Sequence, residues 1–132
     1  MTVATPIKIN WQGFAVGANE RLVPRKGSSR WIKSDSYRAF LDSMAAEVMR
    51  QTSTLERPLP YPVDVALIVT LWCGRDTDSV VKPAIDALVR GGLLRNDNGN
   101  CVRSLTMLRY DHARGEQDSV NWIIEPAAVP AK

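Results

Sequence analysis

Apolar and polar residues alternate from Ile7 to Trp11, the period of a half-buried strand, so the chain is expected to open with a short strand. Gly13, Gly17 and Asn19 mark a loop after it. Leu22-Val23 and Trp31-Ile32 flank a basic turn, Pro24 to Ser29, and predict a loose hairpin. Ser34 carries a side chain suited to cap a helix. Beyond it Tyr37, Phe40, Leu41, Met44, Ala45 and Val48 fall at i, i+3, i+4, i+7, i+8 and i+11. That spacing puts one apolar stripe on a helix running to about Gln51 and turns the stripe to the core. Pro58, Pro60 and Pro62 exclude helix and turn the chain.

Val63, Val65, Leu67, Val69 and Leu71 then take every second position, the clearest strand in the sequence. Its other face, Asp64, Ala66, Ile68, Thr70 and Trp72, is also largely apolar, as an inner strand requires. A second helix is expected from about Ser79 to Arg90, with Val81, Ile85 and Leu88 inward and Gly91-Gly92 as its stop. Pro83 leaves its start open. Asn96 to Asn100 reads as a polar loop. Strands follow near Val102–Tyr110 and Val120–Glu125, and the polar turn from Asp111 to Gln117 predicts that they pair as an antiparallel hairpin. Residues 126–132 read as a loose tail. The order strands, helix, strand, helix, strand, strand predicts one α+β domain over all 132 residues, with a mixed sheet packed against two main helices.

Composition narrows the classes. No apolar run reaches the roughly 18–20 residues that span a bilayer; the longest, Val63 to Cys73, is broken by Asp64 and Thr70. The start, MTVATPIKINWQ, has no basic residues followed by an apolar run. A cytoplasmic protein with no membrane partner is therefore expected. Two cysteines, Cys73 and Cys101, form no CxxC pair, and with His112 alone they are too few for a zinc site. They read as core or near-surface thiols.

The net charge of +3 is unevenly placed. Arg21, Arg25, Lys26, Arg30, Lys33 and Arg38 face one acid, Asp35, so this segment is +5 and the rest of the chain −2. Such a block is either a solvated loop or a phosphate-binding footprint. As a DNA surface it would comprise Arg21, Arg25, Lys26, Arg30 and Lys33, joined by Arg75, Arg95 and Arg103. Trp31 could stack on a base there or anchor the core.

The stretch Gly74-Arg75-Asp76-Thr77-Asp78-Ser79-Val80-Val81-Lys82 lies between the strong strand and the second helix. If strand geometry persists, Asp76 and Asp78 point to one side and could converge on a hard cation such as Mg²⁺, which takes oxygen ligands. Lys82 stands four residues after Asp78, on the same helix face, where it could hold a phosphate. Helix capping by the aspartates and a surface Asp–Lys pair account for the same spacing.

The longer pattern discriminates further. From Asp76 the chain reads D-x-D-x-x-x-K-x-x-x-D-A-L through Asp78, Lys82 and Asp86-Ala87-Leu88, then Gly91-Gly92, then Asn96-Asp97 before Val102. This resembles the RusA family of Holliday junction resolvases, whose pattern is DxDNxxK, DAL, and a loop ending in paired aspartates before a hydrophobic strand. More weakly, Asn19, Arg21, Ser34 and Tyr37-Arg38 resemble the family's N-terminal part. The resemblance implies a RusA-like fold, Asp76, Asp78 and Asp97 as metal-binding carboxylates, and Lys82 as the catalytic lysine. It gives Asp86 a role in orienting that lysine or in packing. It implies a crossover junction endonuclease of DNA recombination and repair, using Mg²⁺ with Mn²⁺ as a substitute and acting on four-way junctions in a prophage setting. Two symmetric cuts call for a two-fold homodimer. Ser79 and Asn96 depart from the pattern, where the family has asparagine and a first aspartate. Asn96 keeps open a catalytically weak or inactive relative that binds branched DNA. A small basic protein with a structural role and no DNA activity is the third reading.

Overall fold

Strand β4 (Val63–Trp72) organises the molecule. Along its ten residues fully buried positions alternate with half-buried ones, so it packs one face into the core and keeps partners on both edges. In the computed structural model, residues 6–15, 22–24, 31–33, 35–73, 77–113 and 116–127 are described, with 22–24, 31–33, 78 and 79 described by backbone alone. The elements are β1 (Ile7–Gly13), β2 (Leu22–Pro24), β3 (Trp31–Lys33), α1 (Asp35–Gln51), β4, α2 (Asp78–Arg90), β5 (Val102–His112) and β6 (Asp118–Pro126). The result is an α+β domain with a four-stranded mixed sheet and two helices.

The sheet order is β1-β6-β4-β5. β5 runs parallel to β4, from Asp64↔Ser104 to Trp72↔His112, after a register shift at Val63/Asp64. β6 is antiparallel to both β4 and β1, with Leu67↔Trp122 and Trp11↔Val120. β2 and β3 form a separate antiparallel pair, Val23↔Ile32. None of the helices among the described residues is long and apolar enough to cross a membrane.

The stripe predicted for α1 is the one found: Tyr37, Phe40, Leu41, Met44, Ala45 and Val48 are all buried. Phe40 stacks at a tilt on Trp11, ring centroids 5.2 Å apart, and so seats α1 over β1. α2 is tied to the sheet by Trp122, whose indole N–H donates to the Ala84 carbonyl at 3.0 Å inside the core. α2 begins one residue earlier than expected and holds Pro83 in its interior. Ser34 and the tail from 128 onward lie outside the described residues.

The last two strands do not form the predicted hairpin. β4 lies between them. A strand apolar on both faces is best covered as an inner strand, so β4 takes a partner on each side. The connection after His112 then spans two strand spacings, about 10 Å, which five residues reach with ease.

The two glycines after α2 do different things. Gly92 has φ +83° and turns the chain, the conformation that favours glycine at a helix end. Gly91 has an ordinary φ of −76°. It is glycine because a Cβ there would meet the Ala45 carbonyl oxygen at 2.9 Å and Val48 Cγ1 at 2.8 Å. α1 and α2 therefore touch at a point where no side chain fits. Gly91→Ala is expected to destabilise the fold by about 1–3 kcal/mol, as over-packing does. Urea unfolding checks this against Gly99→Ala, where a Cβ meets nothing within 4 Å and the change should stay within about 0.5 kcal/mol.

Candidate metal and nucleic-acid site

The connection from β4 to α2 is held at both ends by one side chain from the neighbouring strand. Thr77 occupies the N-cap position of α2 but makes no side-chain cap bond. Its hydroxyl instead accepts from Arg109 Nη1 at 2.8 Å. Arg109 Nη2 donates to the Trp72 carbonyl at 3.1 Å, and Nε to Asp111 Oδ1 at 2.8 Å. The planar fork of a guanidinium suits three acceptors at fixed angles, and only 19% of this side chain is exposed. Arg109 thus sets where α2 starts relative to the end of β4.

Between those ends lie Arg75 and Asp76, outside the described residues. Asp78 is described by its backbone, as the first residue of α2. Strand alternation therefore does not extend to Asp78; β4 ends at Trp72 and the chain is already helical at 78. A carboxylate in the first turn instead benefits from the positive end of the helix dipole.

Lys82 follows one turn along. Its ammonium is 3.6 Å from Asp86 Oδ1, with 63% of the lysine and 27% of the aspartate side chain exposed. An exposed pair of this kind is worth at most about 1 kcal/mol, so a phosphate can compete for the lysine. Asp86 in turn lines a cleft of about 330 Å³ with Leu41, Val89, Arg90, Asn96 and Asp97. Asp86 and Asp97 are the two carboxylates that the described structure brings to one cleft. Asp78 stands about 12 Å away from Asp86 along the helix axis, eight residues at 1.5 Å each. The loop after α2 does not double back to the helix start: Leu93 and Leu94 are buried, Leu93 accepts from Leu59 N–H at 2.8 Å, and Asp97 arrives near the start of β5. Asn96 Oδ1 accepts from the Asp97 N–H at 2.7 Å, so that amide shapes the turn. Among the described residues no three of His, Cys, Asp and Glu are grouped so as to hold a metal ion.

A second cleft, about 340 Å³, adjoins through Asn96 and is lined by Tyr61, Arg95, Asn98 and Asn100 among others. A third, about 460 Å³ between α1 and strands β1 and β6, is lined by groups that largely bond to one another: Trp11 to Ser43, Arg50 to Glu47. Glu47 is held below the ordinary carboxylate range by hydrogen bonds from Arg50 and Gln51. Of the basic block, Arg21, Arg25, Lys26 and Arg30 lie outside the described residues, and Lys33 is described by backbone alone, at the end of β3. Arg38 is paired with Asp35 at 3.2 Å. The two thiols are free, Cys73 after β4 and Cys101 beside its start.

Three residues that matter most to this end of the sheet were not singled out from the sequence. Besides Arg109 they are His112 and Asp118, which the sequence placed in or beside a polar turn. Asp118 is buried, and its carboxylate accepts from Ala15 N–H at 2.8 Å, Trp72 N–H at 3.2 Å and His112 Nε2 at 2.7 Å. His112 Nδ1 faces the Ala113 carbonyl at 2.6 Å. Two acceptors, one on each ring nitrogen, ask for two N–H groups and so favour the imidazolium. Spacing gives no signal for such a pair, because burial alone separates it from a solvated turn.

No protein-family model matches the chain, and no curated protein matches it.

The imidazolium gives a pH prediction. The Ala113 carbonyl, then the Asp118 carboxylate, raise the His112 pKa above its ordinary 6.5, with a smaller contribution from Glu116. The stability this group contributes is fully present below pH about 6.5 and is lost as pH rises through the folded-state pKa. Unfolding free energy should therefore fall as pH rises from about 6.5 through the folded-state pKa, and His112→Gln should remove that slope. A pH series of urea melts on both proteins measures it, and identical slopes would refute the assignment.

Proposed function

We propose that the chain is a metal-dependent endonuclease acting on branched DNA, in particular four-way junctions, with Mg²⁺ as its ion and Mn²⁺ as a substitute. The observation that carries this reading is the polar line along α2. Asp78, Lys82 and Asp86 follow at four-residue spacing, and Asp97 faces Asp86 across a cleft. Repeats of four keep these residues on one side of the helix. The donor set is all oxygen, the chemistry of a hard cation. The residues that would hold the ion are Asp76 and Asp78 at the start of α2, joined by Asp97 of a second copy of the chain, because within one copy Asp97 lines a cleft with Asp86, about 12 Å further along the helix. Bound there, the ion would supply positive charge against the phosphodiester and a water of lowered pKa.

The remaining work falls to the chain itself. Lys82 would exchange its exposed partner Asp86 for a non-bridging phosphate oxygen and balance the charge that grows during hydrolysis. Arg109 would hold the start of α2 so that Asp78 and Lys82 meet the same phosphate. Arg95, exposed beside the cleft, adds to a positive surface, and Arg21, Arg25, Lys26, Arg30, Lys33 and Arg75 would complete the DNA contacts. Paired cuts in a junction call for a homodimer with two-fold symmetry.

A second reading is favoured by Asn96. It carries no charge, and its oxygen already accepts from the Asp97 N–H. That leaves a weaker ion site and suits a protein that binds branched DNA and cuts it slowly or not at all.

Cleavage of a labelled four-way junction and a matched duplex, with Mg²⁺ and with EDTA, separates the readings. The wild type should nick the junction in pairs, and Asp76→Asn, Asp97→Asn and Lys82→Ala should each lose on the order of 10² in rate or more. Junction binding without cleavage in either metal would select the second reading and make Asn96→Asp the variant to restore activity. No junction affinity at low salt would end both.

A further inference from the structure

β5 is bare in a way that no other strand of the main sheet is. It is the last strand of the order β1-β6-β4-β5, and its outer edge is unpaired among the described strands. The other edge strand, β1, buries Ile9 and Trp11 beneath α1. β5 instead exposes apolar side chains on both faces. Leu105, level with Val65 on the helix-bearing side, is 42% exposed. Leu108 and Tyr110, level with Ile68 and Thr70 on the opposite side, are 51% and 55% exposed. An eleven-residue edge with no proline, regular from Ser104 onward, is the kind of strand that pairs with another chain.

We propose that β5 pairs antiparallel with β5 of a second copy of this chain, about a two-fold axis through Met107. Two identical edges turn the same alternate N–H and C=O groups outward, so residues of like parity must face each other and the axis passes through a residue. Met107 is the midpoint of Val102–His112, the one centre that pairs the whole strand. It sets Arg103 opposite Asp111, Ser104 opposite Tyr110, and Thr106 opposite Leu108. Arg103 makes no ion pair among the described residues, and Asp111 is 59% exposed with only Oδ1 engaged, by Arg109. The neighbouring centres are worse. An axis through Thr106 sets Arg103 against Arg109, and one through Arg109 sets that residue against itself, and like charges directly opposite destabilise a pair. An axis through Leu108 shortens the pairing and leaves Arg103 outside it.

The union makes one eight-stranded sheet and gives Leu108 and Tyr110 same-face neighbours, Thr106 and Ser104 of the second copy, that cover their outer sides. It also sets the 95–101 loop of the second copy, which carries Asp97, against the end of β5 where Arg109 holds the start of α2. Use of this dimer for paired cuts rests on the nuclease reading, whereas the dimer itself does not.

The test reads mass and crosslinking. In a Cys73→Ser/Cys101→Ser background, Met107→Cys should be joined to its own copy by a short bismaleimide in most chains. Ser104→Cys, six residues from its symmetry mate, should be joined far less. Sedimentation should give a wild-type dimer at micromolar concentration, and Leu108→Glu should raise its dissociation constant at least tenfold with circular dichroism unchanged. A monomer across that range overturns the proposal, as does a dimer without the Met107→Cys crosslink. A crosslinked dimer that neither binds nor cuts junctions keeps it and removes the nuclease reading. An active enzyme without the crosslink does the reverse.

Discussion

One buried carboxylate joins the ends of four strands. Asp118 opens β6, takes the N–H of Ala15 just after β1, the N–H of Trp72 at the end of β4, and the ring of His112 at the end of β5. A carboxylate this deeply placed is tolerated because each partner is a donor and one is a cation. The converse also holds: removing a partner leaves a buried charge uncompensated, at about 3–5 kcal/mol. The sheet can have its β4-centred order because the short connection after β5 is cinched by this pair directly across it.

Arg109 extends the same framework to α2. Trp72 is held through its N–H by Asp118 and through its carbonyl by Arg109, which also grips Thr77. The strand end and the helix start are therefore referred to one another through β5. A ligand site at a helix start gains precision from such support, since small displacements of a reacting group reduce rates steeply. The helix then carries Asp86 to Asp97, and the cleft those two share is built from rigid elements on one side and a turn shaped by Asn96 on the other.

The sheet's two edges differ for a packing reason. Two helices suffice to cover one face of three strands: α1 is seated on β1 through Trp11 and Phe40, α2 on β6 through Trp122, and the helices meet each other at Gly91. β5 is left over. Its leucines Leu105 and Leu108 and its Tyr110 stay exposed, outside the core that the two helices cover.

Much of this was legible in the sequence. Period-two alternation placed β4 and its inner position, and the i, i+3, i+4 stripe of α1 matched the buried face residue for residue, because burial of apolar side chains is what both patterns encode. The DxD-to-lysine spacing placed Lys82 one turn past Asp78 on a helix, since helix geometry is local. Three things only the tertiary structure decided. Strand order was one, because a turn between two strands does not say whether a third lies between them. The neighbour of Asp97 was another: Leu93 and Leu94 entering the core fixed where the loop goes, beside Asp86. The last was the meaning of Asp118, His112 and Arg109. In sequence they are polar residues around a turn; burial and the donors that converge from four strands turn them into the joint of the sheet. Local patterns record which residues are buried, whereas long-range partners depend on where the whole chain has gone.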